Sequence, residues 1–344
     1  NPANRAPVGT GPFVFERWQR GSHVLLKRNP AYWAAGRPLL DQVVFKFVPD
    51  PAAAALETGA VDVAGLLPSD LDRVAKLPQI AVDVRTDGYL NNMETLEFNL
   101  DSPYLRNLRV RQAIAHAIDK EFIRKAVFDG RFESLSSPIP KVLSRYYAPA
   151  ERQYAYDVQE ANRLLDAAGF PRKGGGERFA LTIYFYPGSA SFRATAEYIK
   201  AALARVGIRV TVQTADMALL TRRVYTERQF DLNINGVGAL YDPTVGVQRH
   251  YWSTVHGQRV PFNNASGYAN PEVGELFRKV AEEADEDRRA ALLRRFQQIV
   301  GEEIPLLPLI ALQTVSAQNR RVHRYYNSID LTAGDLSDAW VDEK

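Results

Sequence analysis

Cysteine is missing from the chain, and only two methionines occur in its 344 residues. Without cysteine there can be no disulfide, no thiolate metal ligand and no thiol nucleophile. Long apolar runs are missing too: none approaches the ~18 residues that a membrane span needs. Charge of one sign does not accumulate either. The net charge is +3 with basic residues spread along the chain, so nucleic acid is not an expected partner. The usual catalytic signatures are absent. There is no Gly-x-Ser-x-Gly elbow, no Walker loop and no His-Glu-x-x-His pair. Gly236-Val237-Gly238 lacks the third glycine and the helix of a dinucleotide site. The acidic residues of 285–302 lack the glycine of a calcium loop. The spacing of His250 and His256 does not place both on one helical face, and two partly exposed loop histidines are favoured over a metal pair. Carboxylates are numerous, but sequence alone pairs no two of them as acid and base. The expectation is no catalytic residue, no metal and no cofactor.

What is present is ordinary globular composition, 46% hydrophobic and 24% charged, in a length that suits two domains or one large discontinuous pair. Residues 11–98 alternate short strands and turns, with strands at Val43–Val48 and Val61–Val63 and short helices at Pro51–Glu57 and Pro68–Leu77. Residues 107–128 read as helical, because Val110, Ala113, Ile114, Ala117 and Ile118 form an apolar stripe. Asp157-Val-Gln-Glu160 opens a capped helix that runs to Gly169. The clearest architecture lies between 179 and 236. Leu181, Ile183 and Phe185 alternate as a strand; Phe192, Ala196, Ile199, Leu203 and Val206 form a helical face closed by Gly207; Ile208, Val210 and Val212 alternate again. A helix near 216–227 then leads to a strand at Phe230–Ile234, giving a β-α-β-α-β unit with parallel strands. Asn270-Pro271 starts a helix, a second runs from Asp287 to Val300, and Leu306–Leu312 reads as a buried strand.

One loop stands out. Gly236 to Trp252 leaves the carboxyl end of a predicted parallel strand, where open α/β sheets present their ligand crevice. Its aromatics stand beside small residues, which suits an apolar ligand surface with a few polar anchors. The alternative is a structural loop whose Tyr241 and Trp252 plug the core.

Several segments resemble the solute-binding proteins of bacterial peptide, oligopeptide and nickel ABC importers. They are Gly9-Thr-Gly-Pro-Phe13, Asn29-Pro-Ala-Tyr-Trp33, Leu56-Glu-Thr-Gly-Ala-Val-Asp62, the helix Val110-Arg-Gln-Ala-Ile-Ala-His-Ala-Ile-Asp119, the stretch Ala161–Gly169, and Arg288–Pro308. They occur in the family's order and cover nearly the whole chain. The resemblance implies an α/β fold of the periplasmic-binding-protein type II kind, two lobes clamping a ligand. The chain would cross between lobes near Glu97–Asn99 and Leu307–Leu312. Residues 1–98 and the return segment 309–344 would form one incomplete lobe, and 99–308 the complete one. In that family Gly9–Phe13 lies well inside the chain, so a front section carrying the precursor's signal peptide and about half the pocket is expected to be missing. The fragment alone would then not clamp a ligand.

The resemblance also implies binding rather than reaction: a substrate-binding component, expected as a monomer, that delivers a peptide or similar organic solute to a membrane permease driven by an ATPase. Localisation would be periplasmic or extracellular, with lipid anchoring an open alternative. The ligand-binding residues it suggests are Gly238, Ala239, Tyr241, Asp242, Arg249, His250 and Trp252. Peptide-binding members usually carry an aspartate where Ala239 stands. Burying a ligand ammonium without a counter-charge is costly, so a free α-amine is disfavoured. The Gly-Ala-x-Tyr-Asp-Pro pattern is nearer to the nickel branch, yet Val237 replaces that branch's tryptophan, and aligning His256 with its histidine needs a gap. A nickel chelate or other metal complex and a non-transport receptor stand as alternatives; an α/β hydrolase is disfavoured. For an anionic ligand group, Arg222, Arg223 and Arg249 are candidate forks.

Overall fold

The computed structural model describes residues 5–48, 52–85, 92–149, 153–187, 189–253, 260–325 and 334–342. The chain divides into two compact units, Asn1–Tyr89 with Gln313–Lys344, and Leu90–Leu312.

In the first unit β1 (Phe13–Gln19), β2 (His23–Arg28) and β3 (Gln42–Lys46) form an antiparallel meander. Gly21, at a φ of 73°, makes the tight turn between β1 and β2. There follow α1 (Ala52–Glu57), β4 (Val63–Gly65), α2 (Leu71–Val74) and β5 (Ile80–Arg85). The helix expected over Pro68–Leu77 is shorter: a 3-10 turn at Pro68–Asp70 runs into α2. Ala53, Leu56, Leu71, Val74 and Ile80 make a small core, while Val44, Phe45 and Phe47 stay exposed.

The second unit is built on a six-stranded sheet. Its elements are β6 (Asn92–Phe98), α3 (Leu108–Ala117), α4 (Lys120–Phe128), β7 (Glu133–Ser134), α5 (Val158–Ala167), β8 (Phe179–Phe185), α6 (Ala190–Ala204), β9 (Ile208–Gln213), α7 (Met217–Thr221), β10 (Leu232–Gly238), α8 (Pro271–Glu282), α9 (Glu286–Glu303) and β11 (Leu306–Ala311). The strand order is β7-β11-β6-β10-β8-β9. β8 runs parallel to both β9 and β10, and β6 lies antiparallel between β10 and β11.

Local chemistry explains the helix boundaries. The helical stretch expected over 107–128 is broken in two, because Ile118 is extended and the Asp119 carboxylate accepts the Phe122 N–H at 3.0 Å, capping α4. Asp157 caps α5 through the N–H groups of Gln159 and Glu160, and Asn270 with Pro271 at the first turn caps α8. The helix expected near 216–227 is α7 followed by a π-helical turn at Arg222–Thr226. α6 buries Phe192, Ala196, Ile199 and Leu203, and β8 and β10 bury Ile183, Leu232 and Ile234. Each of these side chains larger than alanine contributes roughly 1.5–3 kcal/mol relative to exposure.

After β11 the chain returns to the first unit. β12 (Thr314–Asn319) lies between β4 and β5, and β13 (Val322–His323) pairs with β14 (Trp340–Val341).

Candidate functional site

The loop that follows β10 starts at a strand end built from small residues. Gly238 and Ala239 are buried, and their carbonyls are covered by the backbone of Gly246. A Cβ on Gly246 would lie 2.3 Å from the Ala239 oxygen and 2.4 Å from the Gly238 oxygen, so no side chain fits there. Gly236 is small for another reason: a Cβ there would come within 3.4 Å of the Phe192 ring. The small residues of this segment therefore serve internal packing.

Leu240 takes a left-handed conformation, φ 56°, and the chain then wraps into a turn held by Asp242. The Asp242 Oδ1 accepts from the Thr244 N–H and hydroxyl, both at 2.8 Å, and its backbone oxygen accepts from Val245 and Gly246. Its Oδ2 meets Arg289 of α9 at 2.6 Å. Burial works against ionisation of Asp242, but these bonds outweigh it and hold the carboxyl below its usual range. Asp242 is thus fully engaged within the protein. Arg289 is engaged as well, donating to Tyr146 and lying over its ring.

The pinned turn leaves Tyr241 at 43% exposure and Val245 at 61%. Trp252 is half-buried and packs against the core of α8, α9 and Tyr251, so it belongs partly to the core. Between them Gln248–His250 form a 3-10 turn. Arg249 is half-buried; its Nε–H donates to His250 Nε2 at 3.2 Å. His250 is not the partly exposed loop histidine expected from its position. It is 2% exposed, because the 3-10 turn aims it inward toward Glu97 on β6, with Nδ1 and Oε1 3.9 Å apart. Burial and the adjacent Arg249 push its pKa down to about 3. His256 lies outside the described residues, and among those residues no group of three acidic or histidine side chains could hold a metal. Of the other arginines considered, Arg222 and Arg223 both pair with Glu227 at 3.1 Å.

Beneath the loop is a polar interior that the sequence patterns did not reveal. Asn233 of β10 donates to Glu97 at 2.6 Å, Asn235 reaches the same carboxylate at 3.5 Å, and Asn235 also donates to the Tyr225 hydroxyl at 3.0 Å. Burial raises the Glu97 pKa to about 7 against the opposing effect of the two asparagines. Glu94, on the other face of the same strand, is raised to about 7 by burial, with the Thr195 hydroxyl beside it pulling the other way. Neither Glu94 oxygen nor that hydroxyl achieves hydrogen-bond geometry. Elsewhere, a groove of about 580 Å³ lies in the first unit, lined by Val44, Phe45, Val63, Val322 and Val341 among others; none of the candidate ligand residues borders it.

The loop after β10 thus presents Tyr241 and Val245 to solvent above a polar interior. The sequence of residues 1–259 matches the family described as bacterial extracellular solute-binding proteins, family 5, middle. The chain belongs to this family. A putative ABC transporter peptide-binding protein of Brucella ovis is 31% identical over 244 residues, 69% of this chain and 45% of that protein. The chain spans about half the length of this curated relative. Among solved structures, the periplasmic binding protein DppA of Helicobacter pylori in complex with the peptide STSA superposes with a TM-score of 0.86 at 27% identity, over 98% of this chain and 64% of that one. AgaA of A. tumefaciens in complex with agropinic acid gives 0.87 at 26% identity, over 99% and 69%. The mixed α/β architecture is therefore that of type II periplasmic binding proteins. The family consists of extracellular proteins, and no described helix is long and apolar enough to cross a membrane.

Proposed function

We propose that the protein carrying this chain is the substrate-binding component of an ABC importer. It captures a peptide or similar small organic solute outside the cytoplasmic membrane, free or on a lipid anchor, and delivers it to a permease coupled to an ATPase. The observation that carries this reading is the loop after β10, whose backbone is fixed from behind by Asp242, Arg289 and Gly246 while Tyr241 keeps 43% of its surface exposed. A rigid aromatic anchor on a preorganised loop gains affinity without ordering cost at the moment of binding. In this reading Tyr241, Arg249 and Trp252 contact the solute. Gly238, Ala239, Asp242 and His250 hold them in place.

The ligands named for the relatives, a tetrapeptide and agropinic acid, support an organic solute with polar anchoring groups. The first unit is read as part of a lobe completed by further polypeptide. The support is its small core, its exposed Val44, Phe45 and Phe47, and the third of each related structure that the match leaves uncovered. Native mass spectrometry of the full natural protein, purified from its source, tests the reading. A co-purified peptide or organic acid is expected; a nickel chelate as the retained ligand would overturn it.

A further inference from the structure

Arg249 is the one fork among the three candidates that pairs with no carboxylate among the described residues: Arg222 and Arg223 both meet Glu227, whereas the Arg249 Nε donates to His250. Arginine has donors alone. His250 Nε2 must therefore be the acceptor, and the imidazole proton sits on Nδ1, the atom facing Glu97. Glu97 is fixed in turn by Asn233 and Asn235 from the neighbouring strand. The result is a chain of contacts running from the middle of the sheet to a half-buried cation on the candidate ligand loop. The neutral imidazole that this arrangement needs is also the form that burial enforces, with the His250 pKa near 3.

We propose that Glu97 and His250 form a buried relay that orients the Arg249 guanidinium toward a carboxylate on the bound solute, with His250 as a positioning residue for recognition. The inference rests on the solute-binding reading above. The guanidinium is planar in itself; a bond at its Nε fixes the orientation of that plane and leaves both terminal nitrogens for a carboxylate to accept bidentately. Ordering the guanidinium before binding spares the side-chain entropy that a free arginine would lose on contact. The relay makes a prediction that a bare surface charge does not: recognition depends on a residue the ligand never touches.

The test uses the full natural protein and two probe sets, N-acetyl-Ala-Ala and N-acetyl-Ala-Ala-Ala, each as free acid and as C-terminal amide, acetylated because a free α-amine is disfavoured beside Ala239. Their only carboxylate is the terminal one. Titration calorimetry should give a preference of about tenfold or more for the free acids. Arg249→Gln should abolish that preference. Arg249→Lys should lower it severalfold, because lysine keeps the charge but loses the Nε donor. His250→Leu should act like Arg249→Lys, and His250→Gln, which restores an acceptor, should recover most of the preference. Should His250→Leu fail to fold, His250→Ala replaces it. Acid preference that persists undiminished in Arg249→Gln or in the His250 variant lacking an acceptor overturns the proposal while leaving the solute-binding reading standing. If neither acids nor amides bind the unaltered protein, peptide binding itself fails and the relay proposal falls with it.

Discussion

Replacing Glu94 by glutamine should stabilise the second unit by an amount that depends on pH in a calculable way. Glu94 lies on the central strand β6, opposite Gly236 of β10 and Ile310 of β11, and is fully buried. Its pKa of about 7, against an ordinary 4.5, reflects a carboxylate removed from water with no partner in good geometry. The folded state therefore holds a proton more tightly than the unfolded chain does. Its contribution is fully present below pH 4.5 and is lost as pH rises through about 7. At 1.36 kcal/mol per pKa unit, the loss is about 3 kcal/mol. Glutamine keeps the shape and cannot ionise. The stability difference between Glu94→Gln and the unaltered protein should therefore shift in favour of glutamine by about 3 kcal/mol between pH 4.5 and pH 8. Glu97 titrates in the same direction but is present in both proteins and cancels. Urea unfolding followed by tryptophan fluorescence at each pH gives the two differences, provided the slope is unchanged. A difference that is the same at both pH values would refute the reasoning, since it would mean that Glu94 is not held protonated by burial.

Three further outcomes are expected. Gly246→Ala should destabilise the second unit by several kcal/mol, because its Cβ would sit 2.3 Å from the Ala239 oxygen; an unchanged melting profile would show that the loop can open there at no cost. Arg289→Ala should cost about 1–2 kcal/mol and speed amide exchange at 240–246, since it removes the partly buried partner of Asp242; exchange as slow as before would mean that the ion pair does not hold the turn. Limited proteolysis should cleave the first unit, with its small core, before the second; equal resistance would argue against the incomplete lobe.

The parts of the fold that the sequence revealed are those where one face is apolar. α6 shows its helical stripe plainly because one side packs on the sheet and the other does not. β8 and β9 alternate cleanly for the same reason, and Asn270-Pro271 is a local signal that needs no tertiary context. The break between α3 and α4 was hidden, because the apolar stripe continues through Ile118, which is extended, and only the Asp119 cap at the start of the second helix marks it. The polar interior was hidden more deeply. Glu94, Glu97, Asn233 and Asn235 are of the residue types that usually face solvent, yet β6 and β10 are central and bury all four. At the candidate site, the loop's place after a strand was legible, but the exposure of Tyr241 was not, since the pattern alone fitted a core plug equally well. The Asp242–Arg289 pair joins residues far apart in sequence, and the close approach at Gly246 is a matter of backbone packing; neither leaves a local pattern. The buried side of His250 was illegible for the same reason, since its partner Glu97 comes from a different strand.

The account turns on whether the loop after β10 contacts the solute, and Tyr241→Ala in the full natural protein tests this most directly. With 43% of its surface exposed, Tyr241 can be truncated without opening a core cavity. Calorimetric titration with the ligand that co-purifies should show binding weakened by roughly 1–3 kcal/mol, with circular dichroism and the melting temperature unchanged. Unaltered affinity, or unfolding of the second unit with no separable binding defect, would contradict the claim.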